Sequence, residues 1–219
     1  MRRLCGGCSR KLDFMPGLLC PVCFRRLPTE TLMESDRPPC HKGSLFALAA
    51  PLQFANPVAC ELVHILKYGK VRAAAEPLAN VLADYLADSA QNSKLEIGNF
   101  ILISVPLHPK KERERGFNQA LVLTELLKQK SEILRKVPIL TGALVRTRPT
   151  LSQTKKKNRE EREENIRGCF GVRNPELIAG KNILLVDDVF TSGATMREAA
   201  RTLKSAGAKK IIALAVARA

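Results

Sequence analysis

The chain has 219 residues, 45% of them hydrophobic, which suits one domain of ordinary size plus a small appendage. No apolar run reaches membrane-spanning length, and the first residues lack the apolar stretch of a signal peptide, so we expect a cytoplasmic protein without membrane insertion. The formal net charge is +15, with 36 Lys and Arg against 21 Asp and Glu. An excess of this size attracts polyanions, and nucleic acid is the first candidate.

Four cysteines near the N-terminus form two Cys-x-x-Cys pairs, Cys5 with Cys8 and Cys20 with Cys23. Each pair can fold into a knuckle whose thiolates converge, and two knuckles complete the closed tetrahedral site of a zinc ribbon. We therefore predict a structural zinc bound by these four cysteines. The alternatives are a disulfide pair, disfavoured by the expected cytoplasmic location, and a redox pair, disfavoured because no thioredoxin-like context is present.

A proline-containing segment follows the cysteine pairs. Residues 28–43 hold three prolines among mixed charges, which interrupt any helical period and predict a linker. The predicted organisation is a zinc-finger module at 1–27, a linker at 28–43 and a main domain at 44–219. Cys40 and His41 lie within the linker and are a weaker alternative pair of metal ligands.

The main domain shows alternating apolar runs and helical spacings. Its predicted elements are two short strands around Pro51, a helix that ends near Tyr68, a helix at 78–86, a strand at 100–105, a helix at 118–130, a strand at 183–186, a helix that contains 196–203, and a strand at 211–216. Strand and helix alternate from Phe100 onward. We therefore predict an α/β fold with a doubly wound, mainly parallel sheet and right-handed crossovers.

A run of acids, hydroxyls and glycine joins the strand at 183–186 to the next helix. The carboxyl end of a strand is where open α/β sheets bind ligands, and the helix N-terminus favours a phosphate. Gly193 lets the backbone approach an anion, while Asp187 and Asp188 can accept hydrogen bonds from vicinal ribose hydroxyls. The run predicts a sugar-phosphate site. The alternative is a surface turn before a capped helix, but capping needs one such residue and not the whole run.

This run resembles the phosphoribosyl pyrophosphate (PRPP) signature of type I phosphoribosyltransferases: apolar residues, Asp-Asp, a variable pair, then Thr/Ser-Gly-x-Thr. The resemblance implies that Asp187 and Asp188 are catalytic-site residues that hold the 2- and 3-hydroxyls of the ribose. The loop that it assigns to the 5-phosphate consists of Thr191, Ser192, Gly193, Ala194 and Thr195. We call residues 191–195 the phosphate loop.

Two further stretches are basic. The strand at 100–105 runs into a basic, glycine-containing turn at 106–119, which would face the phosphate loop across the sheet. Residues 146–170 are rich in Lys and Arg and have little apolar periodicity, so this segment is predicted to be mobile.

Together with the Cys-x-x-Cys pairs, these stretches resemble the ComF family of competence proteins. The motifs that carry the resemblance are Lys67-Tyr-Gly, Arg115-Gly-Phe-Asn-Gln119, the set Arg148, Gln153, Arg162 and Asn165, and the Asp-Asp loop. The resemblance extends from Cys5 to the C-terminus. It implies a zinc finger joined to a type I phosphoribosyltransferase domain, with a role in the uptake of transforming DNA and the handling of incoming single strands.

By analogy with the wider fold, residues 106–119 form the pyrophosphate-side loop, and residues 146–170 form a flexible hood that closes on the ligand. Lys111, Arg113 and Arg115 would neutralise the diphosphate alongside Mg²⁺. The possible hood or DNA contacts are Arg148, Gln153, Lys155, Lys156, Lys157 and Arg162. For the three lysines, a solvated face is an equally good interpretation.

Three functions of different classes are compatible with these residues. The first is a PRPP-dependent transferase, whose acceptor no residue identifies. The second is a PRPP sensor that binds single-stranded DNA and a helicase or recombination partner without turnover. The third is a structural DNA adaptor with a vestigial pocket, which is disfavoured because no structural role requires both the acid pair and the phosphate loop.

Overall fold

In a computed structural model of the chain, the structure describes residues 4–27, 40, 43–91, 100–150 and 159–219. Gln153 and Lys155 to Lys157, and also His41, lie outside these described residues. Within the described ranges, no helix combines the length and the apolar composition that a membrane span requires.

Strands and helices alternate along the main domain as the sequence predicts. The helices are α1 (Gly6–Ser9), α2 (Pro57–Lys67), α3 (Ala75–Gln91), α4 (Pro109–Arg115), α5 (Gln119–Lys130), α6 (Arg159–Ile166) and α7 (Ala194–Ser205). The strands are β1 (Ala47–Ala49), β2 (Leu52–Gln53), β3 (Phe100–Ser104), β4 (Leu144–Arg146), β5 (Phe170–Val172), β6 (Asn182–Phe190) and β7 (Lys210–Arg218). Short 3-10 turns cover Arg72–Ala74 and Pro175–Leu177.

The central sheet has five parallel strands. β6 lies between β3 and β7, and both β1 and β2 pair with the outer edge of β7. β4 and β5 form a separate antiparallel pair. The parallel strands bring the ends of β3 and β6 to the same edge of the sheet, because Ser104 is in register with Val186. This edge is where the sequence predicts the site.

Both faces of the sheet are covered, as expected for a doubly wound fold. Side chains of β6 alternate between two apolar clusters: Leu184 packs with residues of α2, α3 and α5, whereas Ile183 packs with residues of α7. The four buried residues at 183–186 are at most 1% exposed. The predicted α/β fold with a mainly parallel sheet is confirmed.

The N-terminal module with the two Cys-x-x-Cys pairs, described from residue 4 to 27 and called the cysteine module below, packs on the edge of this sheet. Leu19 exchanges two backbone hydrogen bonds with Leu48 of β1, at 2.7 and 2.9 Å. The Tyr85 hydroxyl of α3 donates to the Gly17 carbonyl at 2.5 Å. The boundaries of the module and linker stay predictions, but specific hydrogen bonds join the module to the main domain.

Three local features differ from the sequence expectation. β6 continues through the acids to Phe190, because its pairing with β7 extends to Arg218. The basic turn at 106–119 contains α4, which starts at Pro109 and is capped by the His108 side chain. The described part of the hood contains α6, lies between β4 and β5 in the chain and shares only Arg146 and Phe170 with these strands, and Ile166 anchors α6 because its side chain is fully buried.

Candidate functional site

The phosphate loop forms a tight connection between β6 and α7. Gly193 caps the N-terminus of α7 with a left-handed backbone, φ 74° and ψ 0°, and no side chain caps the helix. A Cβ atom at this position would lie 2.4 Å from Cζ of Phe190. Only glycine fits this turn, and its lack of a capping side chain leaves the positive end of the helix dipole to an anion.

Two buried carboxylates precede the loop. The Asp187 residue is 8% exposed and the Asp188 residue 2% exposed. Lys67, at the C-terminal end of α2, places its Nζ atom 2.9 Å from Oδ1 of Asp188. In the sequence Lys67 is visible only as part of a motif, because its partner is more than a hundred residues away in the chain. The structure makes it the counter-ion of the acid pair.

The buried position of the acid pair shifts the pKa of Asp187 and of Lys67. Burial, and then the charge of Asp188, raise the pKa of Asp187 to about 7. Burial alone would lower the pKa of Lys67, but the carboxylates of Asp188 and Asp187 outweigh it and raise that pKa. Asp187 therefore titrates near neutral pH while Lys67 stays charged. An acidic side chain with a shifted pKa in a cleft is typical of a functional site.

One carboxylate oxygen of the acid pair, Oδ2 of Asp188, is buried and has no hydrogen-bond partner among the described residues. A buried carboxylate oxygen without a partner is costly in a folded protein, so it requires an explanation. A ribose hydroxyl or a hard divalent cation would satisfy it, since both pair well with carboxylate oxygen.

A cavity of about 580 Å³ opens in front of these acids. Its wall includes Thr191 and Thr195 from the phosphate loop. The cations at its surface are Lys67, Lys70, Lys111, Arg115 and Arg146. Burial, and then the charges of Arg146 and Arg115, lower the pKa of Lys111. This crowding of cations beside the acids fits an anion that carries several charges.

A row of rings lines the same cavity. The His64 ring lies 6.3 Å from the Phe54 ring and 5.6 Å from the Tyr68 ring, centroid to centroid. The guanidinium of Arg115 lies 6.0 Å from the centroid of Tyr68, and it also donates to the Gln119 side chain. Sequence reasoning missed these contacts. The only available signal was that His64 and Tyr68 are four residues apart on one helix.

The structure brings some of the predicted site residues to the cavity and leaves others away from it. Asp187, Asp188, Thr191, Thr195, Lys111 and Arg115 line the cavity. Ser192, Gly193 and Ala194 belong to the phosphate loop but do not line the cavity, and the Arg113 side chain is exposed on α4. Arg148 is exposed and donates to the Arg167 carbonyl at 2.5 Å, while Arg162 is half-buried on α6.

The cysteines form a second candidate site. The Sγ atom of Cys40 lies 3.3 Å from Sγ of Cys23 and 3.9 Å from Sγ of Cys20. Thiolates that share a tetrahedral zinc, with Zn–S near 2.3 Å, stand roughly 3.8 Å apart, so this set suits zinc. The ligand atoms of these three cysteines all lie within 4.8 Å of one another.

The first Cys-x-x-Cys pair folds as a knuckle but lies outside this cluster. In both knuckles the backbone N–H of the second cysteine points to Sγ of the first at 3.4 Å, from Cys8 to Cys5 and from Cys23 to Cys20. Among the described residues, no group of three close ligand atoms includes Cys5 or Cys8. The structure thus supports a metal-binding cysteine cluster, with Cys40 as a member that the sequence analysis ranked below the four predicted ligands.

Known proteins resemble the chain over its C-terminal part and over nearly its whole length. Residues 124–219, from α5 through the phosphate loop to the C-terminus, match the phosphoribosyl transferase domain family. Competence protein ComFC of Bacillus subtilis (strain 168) is 27% identical over 208 residues, which cover 94% of this chain and 79% of that protein. DNA utilization protein YhgH of Escherichia coli (strain K12) is 28% identical over 213 residues, which cover 95% of this chain and 87% of that protein.

Two further likenesses are weaker. Competence protein F of Haemophilus influenzae (strain ATCC 51907 / DSM 11121 / KW20 / Rd) is 29% identical over 143 residues, or 65% of this chain and 60% of that protein. A solved glutamine PRPP amidotransferase from B. subtilis, complexed with ADP and GMP, covers 65% of this chain and 26% of its own, with 19% identity and a TM-score of 0.40. That TM-score supports no conclusion about this chain.

The fold and the domain match define a protein with a phosphoribosyl transferase domain. Over nearly its whole length the chain is similar to proteins named for competence and DNA utilization, ComFC and YhgH. The resemblance drawn from the sequence motifs is confirmed.

Proposed function

We propose that the cavity binds PRPP together with Mg²⁺. The observation that carries this proposal is that two buried acids, Thr191 and Thr195 of the phosphate loop, and several cations line one cavity. Asp187 and Asp188 would accept hydrogen bonds from the ribose hydroxyls, and the phosphate loop would hold the 5-phosphate. Lys111 and Arg115 would lie against the diphosphate, with Arg113 available from the exposed side of α4.

The donor set also fits Mg²⁺. Mg²⁺ binds through one or two carboxylates plus substrate phosphates, and Oδ2 of Asp188 is a buried carboxylate oxygen without a partner among the described residues. The cation would neutralise charge that develops on the diphosphate. Lys67 already compensates one oxygen of Asp188, so the other is the one available to a ligand.

The residues of the chain then suggest how a transfer would be helped. Carboxylates beside the ribose would stabilise positive charge on the sugar as the pyrophosphate leaves. Lys111 and Arg115 would stabilise the negative charge of that leaving group. The hood segment at 146–170, which contributes Arg146 to the cavity wall, would cover the ligand and exclude water from a hydrolysable donor.

We further propose a role in natural transformation, in which the protein handles incoming single-stranded DNA. The names of the relatives, competence protein ComFC and DNA utilization protein YhgH, support a competence role. The net charge of +15 supports contact with a polyanion. A helicase or recombination protein is the expected partner.

Pyrophosphate release tests whether the site is a transferase. The protein would be incubated with PRPP and Mg²⁺, alone and with a nucleotide mixture or single-stranded DNA. Release that depends on an added acceptor supports a transferase. Binding of PRPP without any release under these conditions supports the second candidate, a PRPP sensor and DNA adaptor, and argues against the enzyme.

A salt titration tests the DNA-binding part of the proposal. Several phosphate contacts should weaken binding of single-stranded DNA by orders of magnitude between roughly 50 and 200 mM salt, with little sequence preference. Fluorescence anisotropy with a labelled oligonucleotide gives the affinity at each salt concentration. An affinity that barely changes over this range contradicts the electrostatic account.

A further inference from the structure

The second cysteine knuckle ends in a residue with an unusual backbone. Phe24 follows Cys23 directly and has φ 57°, a left-handed conformation that an aromatic residue rarely adopts. Two hydrogen bonds hold this turn: the Phe24 N–H donates to the Cys20 carbonyl at 3.0 Å, and the Cys20 N–H donates to the Arg25 carbonyl at 2.9 Å. The fold of the knuckle therefore fixes the direction in which the Phe24 ring points.

That ring packs against the end of β6. The Phe24 and Phe190 rings meet edge to face, 6.1 Å apart between centroids and at 88°. Phe46 contacts Phe190 at 6.3 Å, and the Arg218 guanidinium lies 4.6 Å from the centroid of the Phe24 ring. Phe190 is 1% exposed, so its ring is enclosed by these neighbours. Edge-to-face packing prefers a specific ring orientation, and Phe24 thereby restricts Phe190.

Phe190 in turn supports the phosphate loop. The space where a Cβ of Gly193 would stand is 2.4 Å from Cζ and 2.9 Å from Cε2 of Phe190. The backbone of the loop therefore lies directly on the edge of this ring. A rotation of the ring would change the surface on which Gly193 rests, and with it the direction of the N–H groups that follow.

We propose that Phe24 is a positioning residue through which the cysteine knuckle sets the conformation of the phosphate loop. The contacts run from Cys23 to Phe24, from Phe24 to Phe190, and from Phe190 to Gly193. The module is also held by contacts that do not touch the loop, namely the Leu19–Leu48 hydrogen bonds and the bond from Tyr85 to Gly17. Removal of the Phe24 ring should therefore loosen the phosphate loop while the module stays docked.

Amide hydrogen exchange without ligand tests this directly. Phe24→Ala is compared with the wild type and with Phe14→Ala, which removes a ring from the same module that is 47% exposed. We expect exchange across residues 190–197 to become about two- to tenfold faster in Phe24→Ala and to stay unchanged in Phe14→Ala. This factor corresponds to the free energy of one lost aromatic pair. Residues 46–50, which report the docking of the module at β1, should keep their wild-type exchange.

Phe24→Leu is the second variant, for the case that Phe24→Ala unfolds the module. Leucine keeps the apolar volume of the side chain but lacks the aromatic ring that meets Phe190. The proposal requires faster exchange at 190–197 with unchanged exchange at 46–50 in at least one of the two Phe24 variants. Unchanged exchange at 190–197 in both variants overturns it. So does equal acceleration in both segments of both variants, because Phe24 would then hold the module as a whole and not the loop.

A ligand titration links the contact to the proposed function, on which this part rests. Ribose 5-phosphate probes the phosphate loop without the diphosphate, and its dissociation constant should rise about two- to tenfold in Phe24→Ala but not in Phe14→Ala. An unchanged constant in Phe24→Ala means that Phe24 does not position the loop for ligand. If the wild type binds neither ribose 5-phosphate nor PRPP, the proposed function fails, and the exchange result alone still decides the role of Phe24.

Discussion

Asp187 and Asp188 are neighbouring buried carboxylates with different surroundings. Lys67 compensates Asp188 at 2.9 Å, whereas Asp187 accepts the backbone N–H of Asp188 and is otherwise influenced by more distant charges. Lys67 contacts only Asp188, while Asp187 feels Lys67 and Arg146 from a distance, so the cost of burial falls on Asp187 as a raised pKa. The sequence predicts the acids and their role, but their electrostatic balance depends on Lys67, which only the fold brings to them.

The raised pKa of Asp187 predicts how stability depends on pH. The folded state holds the proton up to about pH 7, whereas the unfolded state releases it near 3.8. Wild-type protein therefore loses stability progressively as pH rises between these values, with no further loss above. Asp187→Asn has no proton to release, so its advantage in unfolding free energy should grow by on the order of 2–4 kcal/mol between about pH 5 and pH 8.

Urea unfolding of both proteins at the two pH values measures this advantage, and other titrating groups cancel in the difference. An advantage that is equal at both pH values would show that Asp187 is already ionised at the lower pH in the folded state.

Lys67 should matter for both stability and ligand binding. Lys67→Gln leaves Asp188 buried without its cation, which should lower the unfolding free energy by about 3 kcal/mol and weaken PRPP binding. Lys67→Arg keeps the charge and should retain most of both. Lys130→Gln is the matched control, because Lys130 pairs with Glu76 at 2.7 Å and has similar exposure, but does not line the cavity.

Chemical denaturation and titration calorimetry on the three variants give these values. If Lys67→Gln costs no more than Lys130→Gln, the acid pair does not depend on Lys67.

At the scale of elements, β6, the phosphate loop and α7 form the central unit of the site. The apolar run at 183–186 predicts the buried strand, and the spacing of Met196, Ala199 and Leu203 predicts the helix. The extension of β6 to Phe190 could not be predicted, because Asp187 and Asp188 are poor strand formers and only the pairing with β7 keeps them extended. Likewise α4 has no apolar periodicity, and its cap by His108 becomes visible only in the structure.

Gly193→Ala tests the geometry of this unit. Alanine at φ 74° is strained, and its Cβ would also collide with the Phe190 ring at 2.4 Å. We expect a stability loss of about 2–4 kcal/mol and a loss of PRPP affinity of at least about tenfold. Gly142→Ala provides the control, since Gly142 has φ 72° but no atom within 4 Å of the added Cβ, so only the conformational cost of about 1 kcal/mol remains.

Thermal unfolding and calorimetry compare the two substitutions. Equal losses of stability in both would mean that the contact between Gly193 and Phe190 adds nothing to the strain of the turn.

At the scale of the whole molecule, the cysteine module and the transferase-like domain are in contact. The sequence predicts both parts, since the cysteine spacing predicts the knuckles and the Asp-Asp run predicts the site. It does not predict that Leu19 pairs with β1 or that Phe24 packs against Phe190, because contacts between segments so distant in the chain leave no local pattern. The proximity of Cys40 to Cys23 could not be predicted either, because a metal ligand separated from the knuckles by a linker has no fixed spacing from them in the sequence.

Metal content tests the cysteine cluster. We expect one zinc per chain in protein purified without added metal, and loss of that zinc in Cys20→Ser, because Cys20 belongs both to the predicted ligand set and to the observed cluster. Cys40→Ser should release zinc to a chelator faster than the wild type. Cys60→Ser serves as the control, since Cys60 lies on α2 outside the cluster. Full zinc retention in Cys20→Ser, measured by elemental analysis, contradicts the assignment.

The central claim is that the acid pair and the phosphate loop form a PRPP site, and titration calorimetry with PRPP and Mg²⁺ tests it most directly. Asp187→Ala combined with Asp188→Ala removes both acceptors, each worth on the order of 1.5–3 kcal/mol as a charge-assisted hydrogen bond, so a micromolar ligand should leave the measurable range. Neutralising the basic run Lys155, Lys156 and Lys157 should leave PRPP binding intact while it weakens single-stranded DNA. Wild-type affinity for PRPP in a folded double-Asp variant would contradict the account.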